Sequence, residues 1–295
     1  MNTGLRHVHP LVAFIYYGGA ISLLFIYPHP WFILTSLGVA VCLNLVQGSF
    51  SKKGSWLYFY IGMSLVWFLV NPLISHQGEH LLFYLGKLPI TLEAVMYGFF
   101  AAIQLFTLFM WILSAQQVLA SSQILFLFSN ISPKGAMLVS MALRSFTLLT
   151  IRFQQLMRIH RSYDEHLNMS ARKKQLVLGM SMVQMMLTWT LEEGLHTADS
   201  MKARGYHSGQ RSQFTLYHWS KRDKVLLMIW IVLASGSLTS VFLRLVTFEY
   251  YPQRSPLTLT LDQWMVYGCV TIYLIIPVLI EGRDWLKWRS LNSMM

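Results

Sequence analysis

The chain is expected to be an all-α, polytopic membrane protein with about six transmembrane helices and a central cytoplasmic region of long amphipathic helices. Three observations lead there. Charged residues make up only 12% of the 295 residues and apolar residues 55%, with a mean hydropathy of +0.47, against about a quarter charged in a soluble domain. Apolar stretches long enough to cross about 30 Å of hydrocarbon recur along the chain. The basic residues are grouped rather than scattered, giving a net charge of +11.

The apolar stretches lie at 8–27, 31–47, 56–74, 90–113, 225–246 and 263–280. The first shows no small-x-small cleavage site and is expected to be retained as a helix. Lys52 and Lys53 mark their loop as cytoplasmic by the positive-inside bias. Crossings counted from that loop put Arg6, the region from 115 to 224, and the tail with Arg283, Lys287 and Arg289 on the same side. This arrangement leaves Lys87, Arg244 and Arg254 as the exceptions among 23 Lys and Arg residues. The organisation expected is therefore 1–114 for N-terminal transmembrane helices, 115–224 for cytoplasmic helices, and 225–295 for C-terminal transmembrane helices with a basic tail.

The segment 134–224 differs in kind. It holds 14 Lys and Arg against six Asp and Glu, yet Leu149, Phe153, Leu156, Ile159 and Tyr163 recur at helical spacing. That pattern describes amphipathic helices at or just below a membrane surface. Nine of the 17 methionines fall here, Met180, Met182, Met185 and Met186 among them, and flexible, polarizable side chains suit either a lipid-facing core or a surface that repacks against partners.

Within it, Leu191, Leu195, Ala198 and Met201 stack on one helical face at steps of four and three, while Glu192, Asp199 and Lys202 fall away. Gly205 can take the left-handed conformation that ends a helix, which puts Arg204 at the last turn with its planar fork projecting from the tip. A second basic cluster, Arg158 and Arg161, shares one face three residues apart, and Asp164 and Glu165 stand within pairing reach of Arg161. Two arginine-bearing helix ends in a chain with no Gly-x-x-x-x-Gly-Lys nucleotide cradle indicate docking points for a dimeric partner.

The run Ala198-Asp-Ser-Met-Lys-Ala-Arg-Gly-Tyr206, with Arg211 and Phe214 after it, resembles the second Ala-Arg-Gly motif of the transmembrane T component of energy-coupling factor transporters (the EcfT/CbiQ family). Leu138-Val-Ser-Met-Ala-Leu-Arg144 resembles the start of that family's coupling region. Asn71-Pro72, His76, Leu82-Phe-Tyr-Leu85, Ile90-Thr91, Glu93-Ala94 and Tyr97-Gly98 are similar to its middle membrane segment. The resemblance covers about residues 10–220. It implies a non-catalytic subunit of an importer in the bacterial inner membrane, with N- and C-termini cytoplasmic. Its partners would be two ATP-binding cassette ATPases, a substrate-binding S component in the membrane, and the lipid bilayer. The cargo would be a vitamin, a vitamin precursor or a metal ion. ATPase docking would fall to Arg204 with Ala203 and Gly205, and to Arg161 with Ser162. The first site departs from the family pattern, reading His160-Arg161-Ser162, and Arg158 is a rival for its role.

Other chemistries are weaker. His76-Gln-Gly-Glu79-His80 matches an H-x-x-E-H zinc pattern, but Gly78 interrupts the helix that chemistry needs and no acidic ligand follows before Glu93. Glu93 is expected in the first turn of a span, where an anion suits the helix dipole. Cys42 and Cys269 lie in apolar runs without pairing or metal spacing. No cofactor, metal or catalytic residue is expected. The basic charge follows membrane topology, so nucleic acid is not an expected partner. The competing readings are a stand-alone secondary transporter, which would show inverted repeats and paired intramembrane charges, and an integral membrane transferase, which would need clustered aspartates for magnesium where Asp164, Asp199, Asp223, Asp262 and Asp284 are scattered.

Overall fold

A computed structural model describes residues 8–74, 80–85, 88–163, 171–206, 208, 217–243 and 260–292. Among these the chain forms helices α1 (Pro10–Ile26), α2 (Pro30–Gln47), α3 (Ser49–Ile74), α4 (Leu92–Val118), α5 (Ser121–Ile131), α6 (Pro133–Tyr163), α7 (Ala171–Ala203), α8 (Lys221–Phe242) and α9 (Leu261–Asn292). The protein is all-α apart from a short hairpin, β1 (Leu81–Leu85) with β2 (Leu88–Thr91), between α3 and α4. It separates into two compact units, one of residues 1–124 and 217–295, the other of 125–216.

In the first unit, identical local chemistry opens the first two helices. His9 and His29 are the N-caps, their Nδ1 atoms accepting the amides of Leu11 and Trp31 at 3.3 Å, and Pro10 and Pro30 follow at the first helical position, where a missing N–H costs nothing. Gly48 ends α2 at φ 68°. Thr91 caps α4 by accepting the amide of Ala94, and Ser220 with Asp223 forms a reciprocal capping box on α8.

Six helices are long and apolar enough to cross a membrane: Pro30–Gln47, Trp56–Ile74, Leu92–Val118, Pro133–Ile159, Lys221–Val241 and Leu261–Arg283. The chain is a multi-pass membrane protein. Five of these match the apolar stretches of the sequence; the sixth, in α6, falls in the region expected to be cytoplasmic, and the first stretch of the sequence forms a shorter helix. The stretch at 8–27 folds into α1, 17 residues or about 25 Å long, and most of its surface is covered by protein: Val12, Tyr16, Tyr17, Ala20, Leu24 and Tyr27 are all at most 2% exposed. Its exposed residues Phe14, Gly18, Ser22 and Phe25 recur at steps of four and three on one outer stripe. Conversely, Pro133–Ile159 of α6 has a span's hydropathy although its region is the most basic part of the chain.

The bundle is held by aromatic side chains with polar tips. Tyr16 donates its hydroxyl to the Leu274 carbonyl at 3.1 Å, and Tyr273 donates back to the Tyr16 carbonyl at 3.0 Å, so α1 and α9 exchange bonds. The Tyr27 hydroxyl reaches the Ser237 carbonyl on α8 at 2.6 Å, and Trp111 on α4 donates to Ser36 on α2 at 3.0 Å. Gln47 links Tyr17, Ser114 and the buried Glu281, which joins four helices through one amide. At Gly98 α4 comes close to α3: a Cβ there would lie 3.3 Å from both Asn71 Cβ and the Phe68 carbonyl.

Candidate coupling site

The second unit is dominated by α6 and α7. Arg152 on α6 lies against Trp189 and Glu193 on α7, while Met141 and Met201 line one end of the cleft between the helices. The pair is therefore antiparallel. Arg161 stands nine residues beyond Arg152 in one direction, and Arg204 eleven beyond Glu193 in the other. At 1.5 Å per residue the two positions are about 30 Å apart along the pair.

The end of α7 is built by local bonds. Tyr206 N–H donates to the Met201 carbonyl at 3.0 Å and Gly205 N–H to the Lys202 carbonyl at 2.9 Å, with Gly205 at φ 78°. These are the two bonds of a Schellman termination. The Ser208 hydroxyl donates to the Gly205 carbonyl at 2.6 Å, and the Ser208 amide bonds it as well. Arg204 thus occupies the C-cap position, exposed, as are Ala203 and Gly205. Its cation sits where the helix dipole is negative.

Arg161 and Ser162 fall in the last turn of α6, which runs to Tyr163; their side chains lie outside the described residues, as do Asp164 and Glu165. Arg158 is exposed one turn earlier. The structure places the two arginine positions at opposite ends of one helix pair rather than bringing them together.

The stripe Leu191, Leu195, Ala198 and Met201 is divided by the packing. Ala198 and Met201 line the cleft with Thr190, Glu193, Gly194 and Thr197, whereas Leu191 and Leu195 are 71% and 69% exposed. The face that meets α6 is turned toward Glu193 and Thr197, so the two leucines have nothing over them within the unit. The same holds for Met180 and Leu187 on α7 and for Phe146 and Ile159 on α6, all exposed. Leu156 and Met182 are buried, and Leu149 lines the cleft.

Elsewhere, Glu93 sits in the first turn of α4 and accepts the His80 amide at 3.4 Å, the dipole-pairing position expected of it. His76 and Glu79 lie outside the described residues. Among the described residues no group of His, Cys, Asp or Glu could hold a metal ion, and Cys42 and Cys269 are free thiols. Sequence reasoning missed Arg152, Trp189 and Glu193. The available signal was a single arginine flanked by Leu149, Ile151 and Phe153, and an aromatic and a carboxylate four residues apart on the next helix.

No family model matches the chain, and no curated protein matches it.

Proposed function

We propose that the chain is the membrane-embedded coupling subunit of an energy-coupling factor importer, passing the movement of two ATP-hydrolysing subunits to a substrate-binding membrane partner. The observation that carries this reading is the end of α7, where a two-bond Schellman stop holds an exposed arginine at a helix tip in Ala203-Arg204-Gly205, the motif in which the sequence most resembles that family. A second arginine position about 30 Å away along an antiparallel pair suits a partner that presents two equivalent sockets. Arg204 would enter one socket and Arg161, or its rival Arg158, the other. Exposed leucines and methionines along α6 and α7 would meet lipid and the substrate-binding partner.

In this reading α1 crosses the membrane within the bundle, so that six crossings leave the termini and the second unit cytoplasmic; α6 lies along the membrane surface despite its hydropathy, and the β1–β2 hairpin faces outward. The cargo is a vitamin, a vitamin precursor or a metal ion. The chain itself hydrolyses nothing.

Two experiments test it. Purification in mild detergent should bring down two ATP-binding cassette subunits, and Arg204→Glu should leave the chain inserted while losing them, because an anion replaces a cation at a helix C-terminus and repels an acidic socket. Normal complex yield and transport by that variant would refute the docking role. A cysteine at Ser208 should react with an impermeant reagent only from the cytoplasmic side; labelling from outside would overturn the topology. Catalytic activity of the isolated chain would favour a membrane transferase, and solute transport without ATP a secondary transporter.

A further inference from the structure

The α6–α7 pair is packed unevenly along its length. On the Arg161 side of Arg152, Leu156 and Met182 are 4% and 8% exposed. On the Arg204 side the helices leave a cleft of about 230 Å³, reaching from Arg152 and Glu193 to Met141 and Met201. Its α7 wall includes two small residues, Gly194 and Ala198, among Thr190, Glu193, Thr197 and Met201, at the spacing that lets helices approach closely. A Cβ added to Gly194 would meet nothing within 4 Å, so no side chain already fills the gap at that point.

At the boundary between the packed and unpacked halves stands one cluster. Arg152 Nη2 donates to Glu193 Oε2 at 3.3 Å, and the same guanidinium lies 5.5 Å from the centre of the Trp189 ring. Trp189 and Glu193 are one turn apart on α7 and therefore grip the guanidinium from two directions, with a carboxylate and an aromatic face. The paired side chains are 35% and 45% exposed. An ion pair this wet adds little to folding stability, but a planar guanidinium held by two partners is demanding in direction. Its contribution is to geometry.

We propose that Arg152, Trp189 and Glu193 form the fulcrum of the α6–α7 pair: they are positioning residues that set the angle between the two arginine-ended helices, and the cleft beside them is the space through which the Arg204 end swings. The coupling consequence rests on the function proposed above, whereas the fulcrum itself is a property of the chain alone. A rigid pair would carry force from one docking point to the other as a block. A pair pivoting at Arg152 converts a change in spacing at its ends into a change of angle, with the packed half holding the axis.

The test uses the full chain in lipid nanodiscs with spin labels at Ser140 on α6 and Lys202 on α7, exposed positions next to Met141 and Met201 at the open end of the cleft. The unaltered pair should give one narrow distance distribution. Arg152→Glu and Glu193→Arg should each broaden it or move it by several ångströms, and the doubly reversed chain should recover the narrow peak. Gly194→Leu should lengthen the distance by wedging the cleft. If the single reversals leave the distribution unchanged, or the double reversal fails to restore it, the fulcrum is wrong. In a reconstituted complex each single reversal should keep the ATPases bound, since neither docking arginine is touched, yet lower transport per ATP by about tenfold, with recovery in the double reversal. Unchanged transport per ATP, with the distance altered, would overturn the fulcrum's role in coupling. Failure of the unaltered chain to recruit ATPases would refute the proposed function instead, and the distance measurement would still judge the fulcrum.

Discussion

The two units differ in whether they hold an apolar core. In the first unit Trp111, Trp230, Tyr16, Tyr17 and Tyr273 are at most 2% exposed, and the polar tips of Trp111, Tyr16 and Tyr273 bond to other helices, although Trp31, Trp56 and Trp264 face outward. In the unit built on α6 and α7, Leu138, Phe146, Leu176, Met180, Leu191 and Leu195 are all more than two-thirds exposed, and only Ala136, Leu156 and Met182 are buried hydrophobics among the described residues. Buried rings whose hydroxyls bond across helices make a rigid frame. Two long helices with uncovered stripes and, among the described residues, one polar clasp between them make an element whose surroundings decide its shape. The coupling role proposed above calls for both, and the chain keeps them in separate units.

The contrast can be broken most directly at the frame. Trp111→Ala removes a ring packed edge-on against Tyr16 and Tyr17, and it orphans the Ser36 hydroxyl. A loss of about 3–5 kcal/mol is expected for such a side chain. Leu191→Ala, at a position 71% exposed, should change stability by no more than about 0.5 kcal/mol. Thermal unfolding of both variants in one detergent decides the matter. Equal shifts would mean that the second unit has a core the bundle comparison overlooks.

Docking is the next largest effect. Arg204→Ala should weaken ATPase capture by about 2 kcal/mol, or about thirtyfold, while leaving the unfolding temperature of the bundle unchanged. Arg161→Ala should follow, Arg158→Ala should be mildest, and the double variant Arg161→Ala with Arg204→Ala should abolish stable assembly, because bivalent docking fails steeply when both points go. Pull-down of the four variants gives the ranking. If Arg158→Ala proves worse than Arg161→Ala, the first docking point lies one turn earlier on α6.

A smaller effect separates the side chain of Arg204 from the cap that presents it. Gly205→Ala forces a φ of 78° on a residue with a Cβ and brings that Cβ to 2.9 Å from the Ser208 hydroxyl. The helix end should loosen by about 1 kcal/mol, seen as faster amide exchange at Gly205 and Tyr206, with weaker ATPase capture despite an intact arginine. Unchanged exchange would show that the Schellman bonds do not hold the tip.

Whatever rested on local patterns was readable before the structure. Five apolar stretches became spans because length and hydropathy alone decide them, and Gly205 ended α7 because the left-handed cap needs only its own residue type and two backbone bonds. The features that escaped were made by distant partners. The burial of one side of α1 goes with hydroxyls of Tyr16 and Tyr27 reaching α9 and α8, more than 200 residues away in sequence, which no window of the chain displays. The β1–β2 hairpin escaped as well, because Leu81–Leu85 and Leu88–Thr91 are short and lack the alternation that marks a half-buried strand. The exposure of Leu191 and Leu195 followed from α7 turning Glu193 toward Arg152, a choice fixed by a residue on another helix.

The smallest expected effect tests the frame at its helix starts. His9 and His29 cap α1 and α2 only while Nδ1 is unprotonated, because it accepts an amide proton there. Burial holds both imidazoles below their ordinary value of 6.5; at His9 the Asp223 carboxylate opposes it, whereas at His29 burial acts without that opposition. Above 6.5 the folded and unfolded chains are both neutral at these rings, and stability does not depend on pH through them. As pH falls below 6.5 the unfolded chain takes up protons first, so stability declines until the lower folded value is reached and then levels off. His29→Asn keeps a capping acceptor but removes the titration, so it should flatten the decline between pH 6.5 and 5 more than His9→Asn does. Unfolding temperatures across that range, compared among the unaltered chain and the two variants, provide the check. A decline unchanged by both substitutions would assign the acid sensitivity to other groups, and a larger effect at His9 would mean that the Asp223 carboxylate does not shield it.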